Sequence, residues 1–177
     1  FDAATAVLSA AALPATALRP HSESLFVAWN GVLALVYDGF PPPMALAKDR
    51  LGTLSGMQPE KFGSKWPKTT LGAELDGSAP LTLAELQLLR EVCRTHSAAI
   101  AALAVEVMVP SISVVEYECR GLEKLQRRAD VPLAVDQASA APPSAEEQAR
   151  VAGVLAEWGV LEEYLPKVNA PGSRIRS

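Results

Sequence analysis

Residues 24–37 read Ser-Leu-Phe-Val-Ala-Trp-Asn-Gly-Val-Leu-Ala-Leu-Val-Tyr, and this stretch decides the fold. Its β-branched and aromatic residues favour a β-strand. The central Asn30-Gly31 pair is the dipeptide that most strongly favours a tight hairpin turn. The stretch therefore forms either two short strands around that turn or one long strand with a bulge at Gly31. We favour the hairpin.

The flanking residues predict where this β region begins and ends. It is followed by Asp38-Gly39-Phe40-Pro41-Pro42-Pro43, in which the prolines restrict the backbone and are tolerated in the first turn of a helix. We therefore expect a helix over 44–54. Before the β region, Pro20 and His21 predict a break, and residues 1–20 predict an Ala-rich arm whose first part favours a short helix.

A capping motif predicts a second helix. Thr82 and Glu85 have the spacing of a capping box, with Thr82 as the N-cap. The helix continues past His96 towards Leu103. Its apolar stripe passes through Leu83, Leu86, Leu89 or Arg90, and Val92 or Cys93.

The remaining elements are predicted from composition and from proline. A strand is expected over 69–75, and two more over 104–109 and 113–120, because Pro110 cannot donate to a sheet ladder. A helical turn is expected within 121–128.

The C-terminal part predicts a loop, a helix and a tail. Residues 134–143 are rich in Ala, Pro and Ser, which is typical of a flexible loop. Ser144 and Glu147 repeat the capping spacing, and a helix follows to about Trp158. The predicted parts of the chain are an N-terminal arm over 1–20, a single domain over 21–165 and a C-terminal tail over 166–177.

The order of these elements predicts an α+β protein. Its sheet is expected to be mainly antiparallel, with the helices packed on one face. A ferredoxin-like arrangement is our first expectation for the topology.

Composition limits the classes of function. The chain has 177 residues, of which 49% are apolar and 20% charged, as in a soluble globular domain. The net charge of −4 provides no field that attracts nucleic acid. Cys93 and Cys119 are too few for a disulfide framework or a zinc site. No apolar run reaches the ~20 residues of a membrane span. We expect an intracellular protein and, because the chain starts at Phe1, keep as an alternative an organellar one that has lost an upstream targeting peptide.

The most unusual segment is the loop 61–72, which reads Lys-Phe-Gly-Ser-Lys-Trp-Pro-Lys-Thr-Thr-Leu-Gly. Its lysines supply positive charge, and its hydroxyls and glycine N–H groups supply donors, so the loop suits a phosphate or a carboxylate. It lacks the Walker A pattern. The predicted anion-binding residues are Ser64, Lys65, Trp66, Lys68, Thr69 and Thr70. The alternative is a solvated loop whose tryptophan packs under the lysine stems.

The order of motifs over residues 25–92 resembles that of the two-histidine (2H) phosphoesterase superfamily. In that superfamily a strand and a helix lead to a Pro-Glu-Asn loop, a His-x-Thr-hydrophobic strand and a helix that starts near Leu-Thr. This chain has Pro59-Glu60-Lys61, then Lys68-Thr69-Thr70-Leu71, then Leu81-Thr82. The resemblance implies a two-lobed α+β fold with an anion cleft.

The chain departs from that pattern at the residues that carry the chemistry. Lys68 stands at the position of the catalytic histidine, and only Thr70 matches the hydroxyl partner. The second motif has no counterpart, because His21 and His96 lack the required context. The family's chemistry uses one histidine as base and one as acid, and a lysine is a poor base near neutral pH unless it is desolvated. The resemblance therefore implies a degenerate domain without catalytic residues.

Two other clusters have both a chemical and a structural interpretation. Cys93 and His96 share a helix face, which suits a metal or an activated thiol, but Cys93 also continues the apolar stripe. Glu116 and Glu118 share a strand face, which suits a cation or simply the solvated side of a sheet. We favour the structural interpretation of both clusters and predict no metal ion and no cofactor.

We therefore predict a non-catalytic binding or assembly module. Its partner is another protein or a second copy of the chain, with a small anion as a further ligand at 61–72. Two alternatives stay open. One is an enzyme that acts on a phosphorylated or carboxylated small molecule, and the other is a nucleic-acid-associated protein, which the acidic net charge disfavours.

Overall fold

A computed structural model describes residues 1–28, 32–54, 66–73, 81–118 and 124–159. These residues form four helices and eight strands, and the helices pack against sheets that are antiparallel except for one strand pair. The predicted α+β class is confirmed. The elements are α1 Asp2–Ala10, β1 Pro14–Leu18, β2 Pro20–Val27, β3 Leu33–Tyr37, α2 Pro42–Gly52, β4 Lys68–Gly72, α3 Leu83–Leu103, β5 Val107–Val109, β6 Ser111–Tyr117, β7 Leu125–Pro132, β8 Ala134–Ser139 and α4 Ala145–Gly159.

Strands β2 and β3 form the predicted antiparallel hairpin. Val27 lies opposite Leu33, and the Ala28 N–H donates to the Val32 carbonyl over 2.9 Å next to the turn. The turn residues 29–31 lie outside the described residues. Strand β4 pairs with β3 and gives the sheet order β2-β3-β4. The predicted break before the hairpin is wrong, because β2 begins at Pro20 itself, and the first position of a strand tolerates proline.

Residues 1–20, for which we predicted an Ala-rich arm, contain α1, β1 and the first residue of β2. Strand β1 is the middle strand of the order β5-β1-β8, antiparallel to β5 and parallel to β8. Leu8 of α1 is buried in one cluster with residues of β1, α2 and β7 and their flanks. The Arg127 guanidinium lies 4.0 Å from the centre of the Phe1 ring and 2.5 Å from the Asp2 carboxylate, so β7 also contacts the start of the chain.

Helix α3 begins with the predicted capping box and packs on β2. The Glu85 N–H donates to the Thr82 hydroxyl over 3.3 Å, and the Thr82 N–H donates to the Glu85 carboxylate over 2.8 Å. Further along the helix, the buried Ser97 hydroxyl oxygen accepts the Leu25 N–H over 2.8 Å. The helix thereby satisfies a backbone donor on the side of β2 that does not face β3.

The region after Pro110 is richer in strand than expected. The helical turn predicted within 121–128 is wrong for its described part, because β7 begins at Leu125 and pairs antiparallel with β6. Strand β8 occupies 134–139 of the segment predicted as the loop 134–143, and it is held by parallel pairing with β1. The strands β5 and β6 lie on either side of Pro110 as predicted.

Helix α4 packs its apolar residues against β3 and against Trp66, which precedes β4. The Ser144 hydroxyl accepts the Glu147 N–H over 3.2 Å, which confirms the predicted cap. Val151 and Leu155 are buried against Val36 and Trp66. The ferredoxin-like and two-lobed arrangements stay predictions. No helix within the described ranges is long and apolar enough to cross a membrane.

Candidate functional site

The predicted anion-binding loop is described only in part. Ser64 and Lys65 lie outside the described residues. Trp66 is 5% exposed and packs edge-on against Phe26, with 5.8 Å between the ring centres. The Lys68 ammonium lies 5.7 Å from the centre of the Trp66 ring. The tryptophan is therefore part of the core with a lysine above it, which is the arrangement that we gave as the alternative to a ligand site.

Lys68, Thr69 and Thr70 lie next to one another on the exposed strand β4. Successive side chains of a strand point to opposite faces, so Lys68 and Thr70 share one face and Thr69 lies on the other. The Thr69 hydroxyl is 2.9 Å from the hydroxyl of Tyr37. The structure thus brings two of the predicted residues together and separates the third. Their role in anion binding stays a prediction.

The Cys93 and His96 side chains do not form a common site. Cys93 is buried against β2 and His96 is exposed. Burial raises the pKa of the Cys93 thiol, although the nearby Arg90 acts in the opposite direction. A raised thiol pKa disfavours the reactive thiolate. Among the residues that the structure describes, no group of three acidic, histidine or cysteine side chains could hold a metal ion.

Glu116 on β6 and Glu118, which directly follows β6, both contact basic or polar side chains. Glu116 lies 3.8 Å from the Arg127 guanidinium, and Glu118 lies 3.8 Å from the Lys124 ammonium. The Gln126 amide donates to Glu118 over 2.6 Å. All of these side chains are exposed. Glu116 nevertheless shares the strand face of Ile112 and Val114, which pack on the core, whereas Val115 and Tyr117 are exposed. The prediction that the pair marks the solvated face of the sheet is therefore wrong for Glu116.

A cleft of about 180 Å³ lies between α3 and β2, and we did not predict it from the sequence. The Arg90 guanidinium lies 5.4 Å from the centre of the Phe26 ring, and burial lowers the pKa of Arg90. Arg94 is bound to Glu91 over 2.5 Å at the helix surface. The cleft is lined by Glu23, Leu25, Phe26, Val27, Arg90, Cys93, Arg94, Ser97 and Leu155. It combines an apolar wall with two guanidinium groups.

Helix α3 carries apolar side chains on two sides. One side, with Leu86, Cys93 and Ser97, is buried against β2. The stripe predicted from the sequence therefore continues through Cys93 and not through its alternative, Val92. Leu89 is likewise exposed.

The second apolar side of α3 is exposed to solvent. Leu88 is 66% exposed, Val92 46% and Leu103 71%. We call this side the outer α3 face, and it consists of Leu88, Leu89, Val92, Ala99 and Leu103. The sequence contains a partial signal for it, since Leu88 and Leu89 lie four and three residues before Val92, but the same spacing also supports the buried side.

Two surfaces thus stand out on α3: the basic cleft towards β2 and the apolar outer face. The outer face has the larger exposed apolar side chains, and the cleft has the charged ones. Comparisons of the chain with protein-family models, with curated proteins and with solved structures gave no match.

Proposed function

We propose that this protein is a non-catalytic binding or assembly module that docks another polypeptide on the outer α3 face. The observation that carries the proposal is the exposure of Leu88, Val92 and Leu103 along one side of a single long helix. Scattered apolar residues are normal on a protein surface, but contiguous apolar patches mark interaction sites.

Covering this face would remove apolar side chains from water and so favour docking. Burying one leucine or valine side chain that is otherwise exposed contributes about 1.5–3 kcal/mol. The Glu91–Arg94 ion pair lies beside the outer α3 face and not within it. Glu91 is about 100° and Arg94 about 160° around the helix from Val92. A partner could therefore cover the apolar residues without desolvating that ion pair.

The absence of catalysis is part of the proposal. Cys93 is buried with a raised thiol pKa, and His96 is exposed to solvent. The resemblance to a degenerate phosphoesterase agrees with this, because it puts Lys68 where the family has a histidine. An anion held by the loop 61–72 remains part of the proposed function. The alternatives of an enzyme and of a nucleic-acid-associated protein gain no specific support from the described residues.

Site-directed photo-cross-linking tests the proposed docking. A benzoylphenylalanine at Val92 is expected to give a cross-linked product larger than the single chain when the protein is illuminated in its cell of origin. The control places the same group at Gln87, which is exposed on the same helix about 140° away. Equal yields from the two positions, or no product from Val92, would contradict the proposal.

A further inference from the structure

We propose that the cleft between α3 and β2 binds a small monocarboxylate with a compact apolar body. This site is separate from the proposed docking surface. Arg94, which lines the cleft, lies about 160° around the helix from Val92 of the outer α3 face. The two sites can therefore be tested independently.

One face of α3 supplies the polar wall of the cleft. Cys93, Arg94 and Ser97 follow Arg90 by three, four and seven residues, which puts all four on one side of the helix. The Ser97 side chain is 1% exposed, and its oxygen accepts the Leu25 N–H over 2.8 Å. Its own hydrogen can therefore donate to an acceptor bound in the cleft.

The edge of β2 adds a backbone donor on the same side. In an antiparallel pair, alternate residues direct their N–H groups towards the partner strand and the others direct them away. The Ala28 N–H donates towards β3, to Val32, whereas the Leu25 N–H donates away from β3, to Ser97. Val27, which lines the cleft, is two residues from Leu25 and directs its N–H the same way. Donors thus face the cleft from both the helix and the strand.

The position of Arg90 favours an anion. Its guanidinium lies 5.4 Å from the centre of the Phe26 ring, and burial lowers its pKa. A carboxylate bound beside this guanidinium offsets the cost of burying the charge. The planar guanidinium also matches the two oxygens of a carboxylate with two parallel N–H groups.

The other charges around the cleft favour a ligand with a single negative charge. Arg94 is more exposed than Arg90 and donates to the Glu91 carboxylate over 3.1 and 2.5 Å. Glu23 also lines the cleft and is exposed. Its carboxylate repels a second negative charge, so a monocarboxylate suits the cleft better than a phosphate monoester.

The apolar wall and the volume of the cleft define the body of the ligand. The wall consists of Leu25, Phe26, Val27 and Leu155, and the volume is about 180 Å³. An apolar cavity of about 150 Å³ is enough to hold a benzene ring. The body is therefore a single ring or a short branched chain.

Calorimetric titration of the full chain with 3-phenylpropionate tests the binding. We expect a dissociation constant on the order of 1 mM. Two control ligands are expected to bind at least about tenfold more weakly: 3-phenylpropionamide, which lacks the charge, and acetate, which lacks the ring. Equal affinity for the acid and the amide, or no binding of the acid at about 10 mM, would overturn the proposal.

Replacement of Arg90 tests the cation. Arg90→Gln is expected to weaken the binding of 3-phenylpropionate about 10- to 100-fold, because charge-assisted hydrogen bonds are lost. Arg50→Gln removes the same charge from an exposed position of α2 and is expected to leave the affinity unchanged. Equal affinities of a folded Arg90→Gln and the wild type would contradict the assignment of Arg90.

Reaction of the Cys93 thiol tests the location of the site without altering Arg90. In a Cys119→Ala background, Cys93 is the one cysteine of the chain, and it lines the cleft. We expect 3-phenylpropionate to slow its reaction with N-ethylmaleimide in proportion to the fraction of chain that is bound, and the amide to have little effect at the same concentration. An unchanged rate at a saturating concentration of the acid would show that the acid binds elsewhere and would overturn the proposal.

Discussion

Gly39→Ala is expected to lower the free energy of unfolding by about 3 kcal/mol, from backbone strain and overpacking together. Gly39 has a φ of +149°, a region that residues with a side chain rarely adopt. A Cβ atom built there lies 3.0 Å from the Cβ atoms of both Glu147 and Pro143. Both neighbours lie at the start of α4. Either the corner between β3 and α2, residues 38–41, or α4 must therefore shift.

The corner has little freedom to shift because several interactions meet there. Glu147 is buried, accepts the Phe40 N–H over 3.3 Å and pairs with Arg150. The Lys48 ammonium lies 3.8 Å from the centre of the Phe40 ring, and burial lowers the pKa of that lysine. Moving Glu147 would therefore weaken contacts of both α2 and α4.

Gly52→Ala is the matched control for Gly39→Ala. A Cβ atom at Gly52 meets nothing within 4 Å, and the residue lies at the end of α2. We expect this variant to be as stable as the wild type or slightly more stable, because alanine has the higher helix propensity. Urea unfolding measures both changes. Equal midpoints for the two variants would show that the described corner is not formed in solution.

Trp66→Ala is expected to lower the free energy of unfolding by about 3–5 kcal/mol, the usual cost of removing a large aromatic side chain from a core. Trp66 is packed against Phe26 and shares a buried cluster with Val36 and Val151. The neighbouring Lys68→Ala removes an exposed side chain and is expected to change the stability little. Comparable small effects of both substitutions in urea unfolding would mean that Trp66 is not part of the core.

Local signals allowed much of the fold to be predicted from the sequence. The Asn30-Gly31 pair, the capping residues Thr82 and Ser144, and the chain-breaking Pro110 each act within a few residues of themselves. Their structural outcome therefore depends little on the rest of the chain. The elements that they define have the predicted type.

Strands β1, β7 and β8 could not be predicted in the same way. β1 reads Pro-Ala-Thr-Ala-Leu and β8 reads Ala-Val-Asp-Gln-Ala-Ser, neither of which has a strong strand pattern. β1 and β8 are held together by pairing across more than a hundred residues, as in the bond from the Thr16 hydroxyl to the Ser139 carbonyl, whereas β7 pairs with the preceding strand β6. Pairing of this kind overrides local propensity and leaves little trace in either segment.

The two apolar sides of α3 explain why the candidate site was missed. A helical periodicity of three or four residues fits Leu86 and Cys93 as well as Leu88 and Val92. Which side packs on β2 depends on close contacts such as Ser97 with Leu25, which are tertiary and not local. The sequence thus indicates an amphipathic helix but not which side stays available for a partner.

The central claim is that the outer α3 face contributes nothing to the fold of the chain itself. The most direct test compares Leu88→Ser with Leu86→Ser by urea unfolding, at a concentration at which light scattering gives the mass of a monomer. Leu86 is 6% exposed, and its replacement is expected to cost about 2–5 kcal/mol. Leu88→Ser makes the same change of residue in the same helix and is expected to cost no more than about 0.5 kcal/mol beyond the difference in helix propensity. A loss at Leu88 as large as that at Leu86 would contradict the account, because it would mean that the chain buries this face in its own core.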